Sequence, residues 1–195
     1  MDSNADARLD RQLSFIGQLD RLKGVVRMTS LMDGSRRENS AEHSWHLAVM
    51  APLLAEHAPD AVDVSRVVMM LAIHDVVEID AGDTFAFDKT ANLDKEERER
   101  AAADHLYGLL PEDQGSALRR LWDEFEEGQT PDARFAVALD RFQGLLQNYA
   151  NGGGTWFEHG VTRERVLERM APIEKGAPGL WAIVLRVLDE VMASD

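Results

Sequence analysis

Val64-Ser65-Arg66-Val67-Val68-Met69-Met70-Leu71-Ala72-Ile73-His74-Asp75-Val76-Val77 is apolar almost from end to end, and Asp63 stands directly before it. An aspartate there accepts a backbone N–H of a first helical turn, so the stretch reads as one helix from Val64 to Val77. Apolar residues lie on every side of it, which predicts a helix buried all round. The longest wholly apolar run, Val67 to Ile73, is far too short to span a bilayer. After Glu78 the pattern stops, and Asp80, Gly82, Asp83 and Thr84 start a loop that runs to about Leu93.

Helical spacing continues on both sides of this segment. Leu9, Leu13, Ile16, Leu19, Leu22 and Val26 fall on one face and predict a helix over about 8–31 with that face inward. Asn39 precedes Glu42 at capping-box spacing and opens a helix carrying Trp45, Leu47, Val49, Met50, Leu53 and Leu54. Asp94 is expected to cap a charged helix ending near Leu110, and a further helix spans about Ser116 to Glu127, before Gly128. Thr130 and Pro131 start the next, which bears Phe135, Val137, Leu139, Phe142, Leu145, Leu146 and Tyr149 and stops at Asn151-Gly152-Gly153-Gly154. Two C-terminal helices start near Thr162 and Gly179. No segment alternates as a strand, and no repeat or low-complexity linker divides the chain, so the expectation is all-α: a single-domain helical bundle over 1–195. Trp45, Trp122, Trp156 and Trp181 lie on apolar helical faces and are expected in the core.

Composition narrows the function. The chain has 195 residues, a formal charge of -14 and no cysteine, which leaves no disulfide or metal-thiolate scaffold. Such an excess of acid repels a nucleic-acid backbone and an anionic membrane surface, so neither a long nucleic acid nor a membrane is an expected partner. The first residues, Met1 to Arg11, are polar and acidic and lack the features of a signal peptide, which points to the cytoplasm. Small anionic ligands remain open, because one local cluster of cations can hold them.

His74 and Asp75 are the anomaly in the apolar segment, since a buried ionisable pair needs something to offset its desolvation. Alone, the dipeptide reads equally well as a core histidine satisfied by its neighbour. Glu78 lies four residues after His74 and three after Asp75, on the same side of a helix. His43 and Asp140 occupy comparable places in two other apolar helices. Two histidines and two carboxylates from three buried helices make a suitable ligand set for Mn, Co, Fe or Mg.

The ordered set His43, His74-Asp75 and Asp140 resembles the signature of the HD-domain metal-dependent phosphohydrolases. The stretches Leu22-Lys23 with Arg27, Arg36 through Glu38-Asn39 to Glu42-His43, His74-Asp75 with Glu78, Gly82-Asp83, and Leu109-Leu110-Pro111-Glu112 resemble the 5′-deoxynucleotidase and HD domain-containing protein 2 branch. The likeness is strongest over 13–150. It implies His43, His74, Asp75 and Asp140 as metal ligands, Glu78 as proton carrier to or from the attacking water, Asp83 as holder of the sugar or of that water, and Arg27 as phosphate contact. Met28 stands where those nucleotidases carry a tryptophan near the sugar, which puts deoxyribose selectivity in question. Arg36 and Lys89 are candidate secondary phosphate contacts that also read as surface charges. His46 is read as hydrogen-bonded behind the site, and His57, His105 and His159 as surface residues.

The resemblance implies metal-assisted hydrolysis of a (deoxy)nucleoside monophosphate to nucleoside and phosphate, with a small nucleotide as partner and a homodimer as assembly. Two other readings keep the ligand set: a di-iron oxygenase, which needs more ligands than His46 and Asp83 can add, and a nucleotide-binding module without turnover.

Overall fold

The Asp63 carboxylate accepts the Arg66 backbone N–H and opens the central helix, which ends at Ile73 rather than Val77. In chain order the computed structural model, which describes residues 3–59 and 61–192, contains α1 (Ser3–Leu19), a 3₁₀ turn (Asp20–Gly24), β1 (Val26–Ser30), β2 (Arg37–Asn39), α2 (Ser40–Leu54), α3 (Val64–Ile73), α4 (Glu78–Ala81), α5 (Lys95–Gly108), α6 (Glu112–Glu127), α7 (Pro131–Ala150), α8 (Gly154–Glu158), α9 (Arg163–Gly176) and α10 (Pro178–Val191). The first two residues of the Met1–Arg11 segment lie outside the described residues. The long helix α7 packs on α9, α3, α6 and α2, and α2 lies against α3. Leu139, Leu145, Met70, Leu71 and Leu47 are fully buried where these helices meet.

Three caps form as expected. Asn39 accepts the Glu42 N–H while the Glu42 carboxylate accepts the Asn39 N–H, a complete capping box. Thr130 accepts from Ala133 N–H at the start of α7, with Pro131 in the first turn. Asp94 departs from its expected role. It makes no side-chain cap, and its carboxylate instead accepts from Arg98 Nε at 3.0 Å.

The expected helix over 8–31 is not continuous. After Gly24 the β-branched Val25, Val26 and Thr29 favour extended backbone. The segment from Val26 to Ser30 pairs antiparallel with Arg37–Asn39, in register Val26 to Asn39 and Ser30 to Arg37. Four residues of its expected inward face, Leu9, Leu13, Ile16 and Val26, are exposed, whereas Leu22 of that face is buried and Leu19 half-buried; Phe15, outside it, is buried. The opposite, polar face docks α1 on the body. Arg8 makes a two-pronged pair with Asp113, Arg11 donates to the Leu109 and Gly108 carbonyls, and Gln12 donates to Gln114. Trp45 likewise is 69% exposed rather than in the core, Trp181 is half-buried, and Trp122 and Trp156 are buried. Met69, at 48% exposed, shows that α3 is not covered on every side.

Two helices cross closely at Gly176, near the end of α9. A Cβ there would stand 2.1 Å from the Arg134 carbonyl oxygen and 2.9 Å from Ala138 Cβ, both on α7. Backbone cannot yield as a flexible side chain does, so Gly176→Ala is expected to lower the unfolding free energy by about 2–3 kcal/mol in urea titrations. A loss within about 0.5 kcal/mol, the range of an inert surface change, would contradict this crossing.

Candidate metal centre

The site is built where α3 stops. The His74 N–H still bonds to the Met70 carbonyl at 2.9 Å, but the following bonds run from Val76 to Ile73, Glu78 to Asp75, Ile79 to Val76 and Asp80 to Val77, all at three-residue spacing. Two buried aromatic side chains hold the break: Tyr107 OH donates to the Ile73 carbonyl at 3.1 Å and Trp122 Nε1 to the His74 carbonyl at 3.2 Å. In a 3₁₀ turn residues three apart eclipse, so the backbone stacks Glu78 over Asp75 rather than over His74.

His43, His74 and Asp75 each bring a ligand atom within 4.8 Å of the others. The two imidazole rings lie 5.4 Å apart, and His74 also packs on Phe125 at 4.9 Å. Asp140, from α7, joins through His43: its Oδ1 is 3.0 Å from His43 Nε2. The structure therefore brings three of the four expected ligands into one group and sets Asp140 against it through His43.

Metal ligation through Nε2 would call for the Nδ1–H tautomer, and both rings can support it: His43 Nδ1 faces Gln143 Oε1 at 3.0 Å and His74 Nδ1 faces the Leu71 carbonyl at 2.9 Å, both acceptors. Burial, reinforced by the nearby Arg27 guanidinium, lowers His43 to about 4 and keeps it neutral. In that tautomer its Nε2 lone pair faces the Asp140 carboxylate. His74 Nε2 is likewise 3.0 Å from Asp75 Oδ1, yet it is buried and makes no hydrogen bond. Acceptors held this close repel unless a cation lies among them, and neutral nitrogen plus carboxylate oxygen is the donor set of a divalent metal site. The residues fit the metal.

The surrounding charges bear on this centre. Arg27, in β1, donates from Nη1 to Asp75 Oδ2 at 3.0 Å and lies 3.5 Å from Glu38. Burial pushes Asp140 up, but the charge of Arg141, whose Nη1 donates to Asp140 Oδ2, holds it well below the usual carboxylate range. Glu78 goes the other way: burial, then Asp75 and Asp83, raise it to about 9, while Ser40 Oγ donates to it at 2.6 Å. Burial raises Asp83 as well.

Asp83 and Met28 line a cavity of about 440 Å³ together with Val26, Phe85, Phe87 and His159. Phe85 lies 4.6 Å from the His159 ring. Other expected residues stand apart. The Arg36 guanidinium takes Glu42 at 2.8 and 2.7 Å, and Lys89 is exposed and outside that lining. His46 is half-buried, with Nδ1 3.4 Å from Gln143 Nε2, and His57 is half-buried, whereas His105 and His159 are exposed.

The sequence reading missed Gln143, Glu38, Ser40 and Arg141. Gln143 is fully buried and ties His43 to Glu38, to which it donates at 3.0 Å. Its signal was present: a polar residue three positions after Asp140 on an otherwise apolar face.

A family model described as HD domain matches residues 19–181, and the chain belongs to the HD-domain family. It is 31% identical to the Homo sapiens protein named 5′-deoxynucleotidase HDDC2 over 136 residues, 69% of this chain and 65% of that one. The Xenopus laevis protein of that name is 29% identical over 145 residues, 74% of this chain and 70% of its own. Among solved structures, one described as a predicted metal-dependent phosphohydrolase from Magnetospirillum magnetotacticum MS-1 is 54% identical, with a TM-score of 0.92, covering 96% of this chain and 94% of that one.

Metal addition tests the donor set. At a metal concentration about 100 times Kd, binding to the native state is expected to stabilise the chelator-treated protein by about 2.7 kcal/mol. His74→Ala and Asp140→Asn should each abolish that shift and the metal retained on gel filtration. A melting temperature indifferent to Mn, Co, Fe and Mg would rule the centre out.

Proposed function

We propose that this HD-domain hydrolase is a metal-dependent phosphohydrolase converting (deoxy)nucleoside 5′-monophosphates to nucleoside and phosphate. One observation carries the reading: an acceptor-rich buried centre adjoins, through Asp83, a cavity of about 440 Å³ walled by aromatic rings. That volume lies in the range of small-ligand sites. The relatives named 5′-deoxynucleotidase support the substrate class. His43, His74, Asp75 and Asp140 would hold the metal.

A bound divalent ion supplies the positive charge that lowers the pKa of water and offsets charge on the phosphate. Glu78, oriented by the Ser40 hydroxyl, would accept the proton of the attacking water once the charge of the bound cation brings its carboxyl down from about 9. Arg27, fixed by Asp75 and Glu38, brings a guanidinium to the phosphate oxygens. Asp83 faces the sugar hydroxyls. Met28 forms the neighbouring wall with a flexible thioether, which discriminates weakly between ribose and deoxyribose.

Purified protein supplied with Mn, Co, Fe or Mg should release phosphate from both deoxy- and ribonucleoside monophosphates. Glu78→Gln is expected to lower kcat by about 10²–10⁴ while KM and metal content stay close to wild type. Absence of phosphate release across the panel with every metal would refute the assignment.

We further propose that the enzyme works in the cytoplasm as a homodimer. The supporting observation is that Trp45 and Leu53, 69% and 68% exposed, share the outer face of α2 with Val49. Apolar exposure of this kind marks interaction surfaces. Light scattering should give twice the 21.8 kDa chain mass for wild type and the single mass for Trp45→Arg with Leu53→Glu. A monomeric wild type would overturn the assembly.

A further inference from the structure

Beyond Asp140, on α7 and α9, the charge balance reverses. Arg141 follows Asp140 on α7, and its buried Nε makes no hydrogen bond. Arg165, on α9, donates from Nη2 to the Phe87 carbonyl at 2.8 Å and lays its guanidinium 5.4 Å from the centre of the Phe87 ring. Arg169 lies four residues, one helical turn, further along α9. Among the described residues it has no carboxylate at ion-pair distance and no hydrogen-bond acceptor. Burial, with Arg141 beside it, lowers Arg169 to about 9, the opposite of what a neutralising partner would do. All three arginines line one cavity of about 320 Å³, and the only carboxylate in that lining is Glu168.

Arg169 is half-buried, and an unpaired guanidinium partly withdrawn from water costs the protein that carries it some stability. Its five N–H donors, and those left over on Arg141 and Arg165, are the fork geometry that matches phosphoryl oxygens. The cavity is also placed for such a ligand. Phe87 belongs to its wall and to that of the cavity bearing Asp83 and Met28. Arg141 connects it to Asp140.

We propose that Arg141, Arg165 and Arg169 form a second oxyanion subsite, adjoining the metal centre, that binds a phosphoryl dianion. Its occupant is inorganic phosphate released by the reaction or a further phosphoryl group on the nucleotide. The choice of anion rests on the phosphohydrolase reading above; the subsite itself rests on the arginine cavity.

The test separates the two. Inorganic phosphate is titrated calorimetrically into the chelator-treated full chain, in which the carboxylates around Arg27 repel an anion from the metal centre. Wild type should bind one phosphate per chain. Arg169→Met and Arg165→Met should each weaken binding about tenfold or more, with Arg169→Lys in between. Arg169→Met should melt at or above the wild-type temperature without phosphate, because it removes an unpaired charge rather than a contact. With metal restored, weaker product inhibition in Arg169→Met identifies inorganic phosphate as the occupant. A higher KM for a nucleoside 3′,5′-bisphosphate, with that for the 5′-monophosphate unchanged, identifies a second phosphoryl group. No phosphate binding to the chelator-treated chain, or affinities of the arginine variants within about twofold of wild type, would overturn the subsite, whether or not the enzyme hydrolyses nucleotides.

Discussion

The carbonyls of Ile73 and His74 end a helical ladder inside the protein, and the site depends on how they are satisfied. A buried carbonyl without a partner is costly, and an uninterrupted helix would supply one from the next turn. Here the Ile73 carbonyl accepts from the Val76 N–H and from Tyr107 of α5, and the His74 carbonyl from Trp122 of α6. With the ladder broken, the chain tightens to three-residue bonds, Glu78 eclipses Asp75, and Gly82, at φ +76°, turns the backbone toward Asp83. That φ favours glycine. Thus two aromatic hydrogen bonds couple α5 and α6 to the orientation of groups that neither helix contributes.

The tautomers form the second tier. In the Nδ1–H tautomer, Gln143 and the Leu71 carbonyl accept the Nδ1 protons of His43 and His74, which leaves both Nε2 lone pairs directed at carboxylates. Removing the Gln143 acceptor would free His43 to carry its proton on the other nitrogen. Positioning of the donor atoms therefore extends one layer beyond the residues that would touch the metal.

Much of this was legible from sequence, and for identifiable reasons. The caps at Asn39, Asp63 and Thr130 are local, so spacing alone finds them. The buried cluster was legible because His74-Asp75 and Asp140 are ionisable in apolar surroundings. The strands were not, because five and three residues are too few to show alternation, and the pairing that stabilises Val26–Ser30 comes from Arg37–Asn39. The periods of α1 and α2 identify an apolar face without saying whether this chain buries it, and Leu13 and Trp45 are exposed. The helix break at His74 depends on Tyr107 and Trp122, distant in sequence, which no local pattern announces. Arg169 carried no signal of its own, since an arginine on a polar helix is ordinary until its partners are found missing.

Charge ties these observations together. Glu38, Asp75, Glu78, Asp83 and Asp140 surround the histidines, and Arg27 and Arg141 are the guanidiniums in contact with them. Five potential negative charges against two positive ones leave a deficit of three, and it is felt unevenly. Asp140, next to Arg141 and His43, stays well below its usual range, whereas burial raises Glu38, Glu78 and Asp83. One divalent ion held by His43, His74, Asp75 and Asp140 would reduce the deficit to one and ease the burden on Glu78 and Asp83. On the far side of Asp140 the imbalance has the opposite sign, with Arg169 short of a negative partner. A phosphate dianion would meet positive charge at a bound ion and again at the arginine cavity, which is how a chain of net charge -14 could hold a small anion while its surface repels a long one.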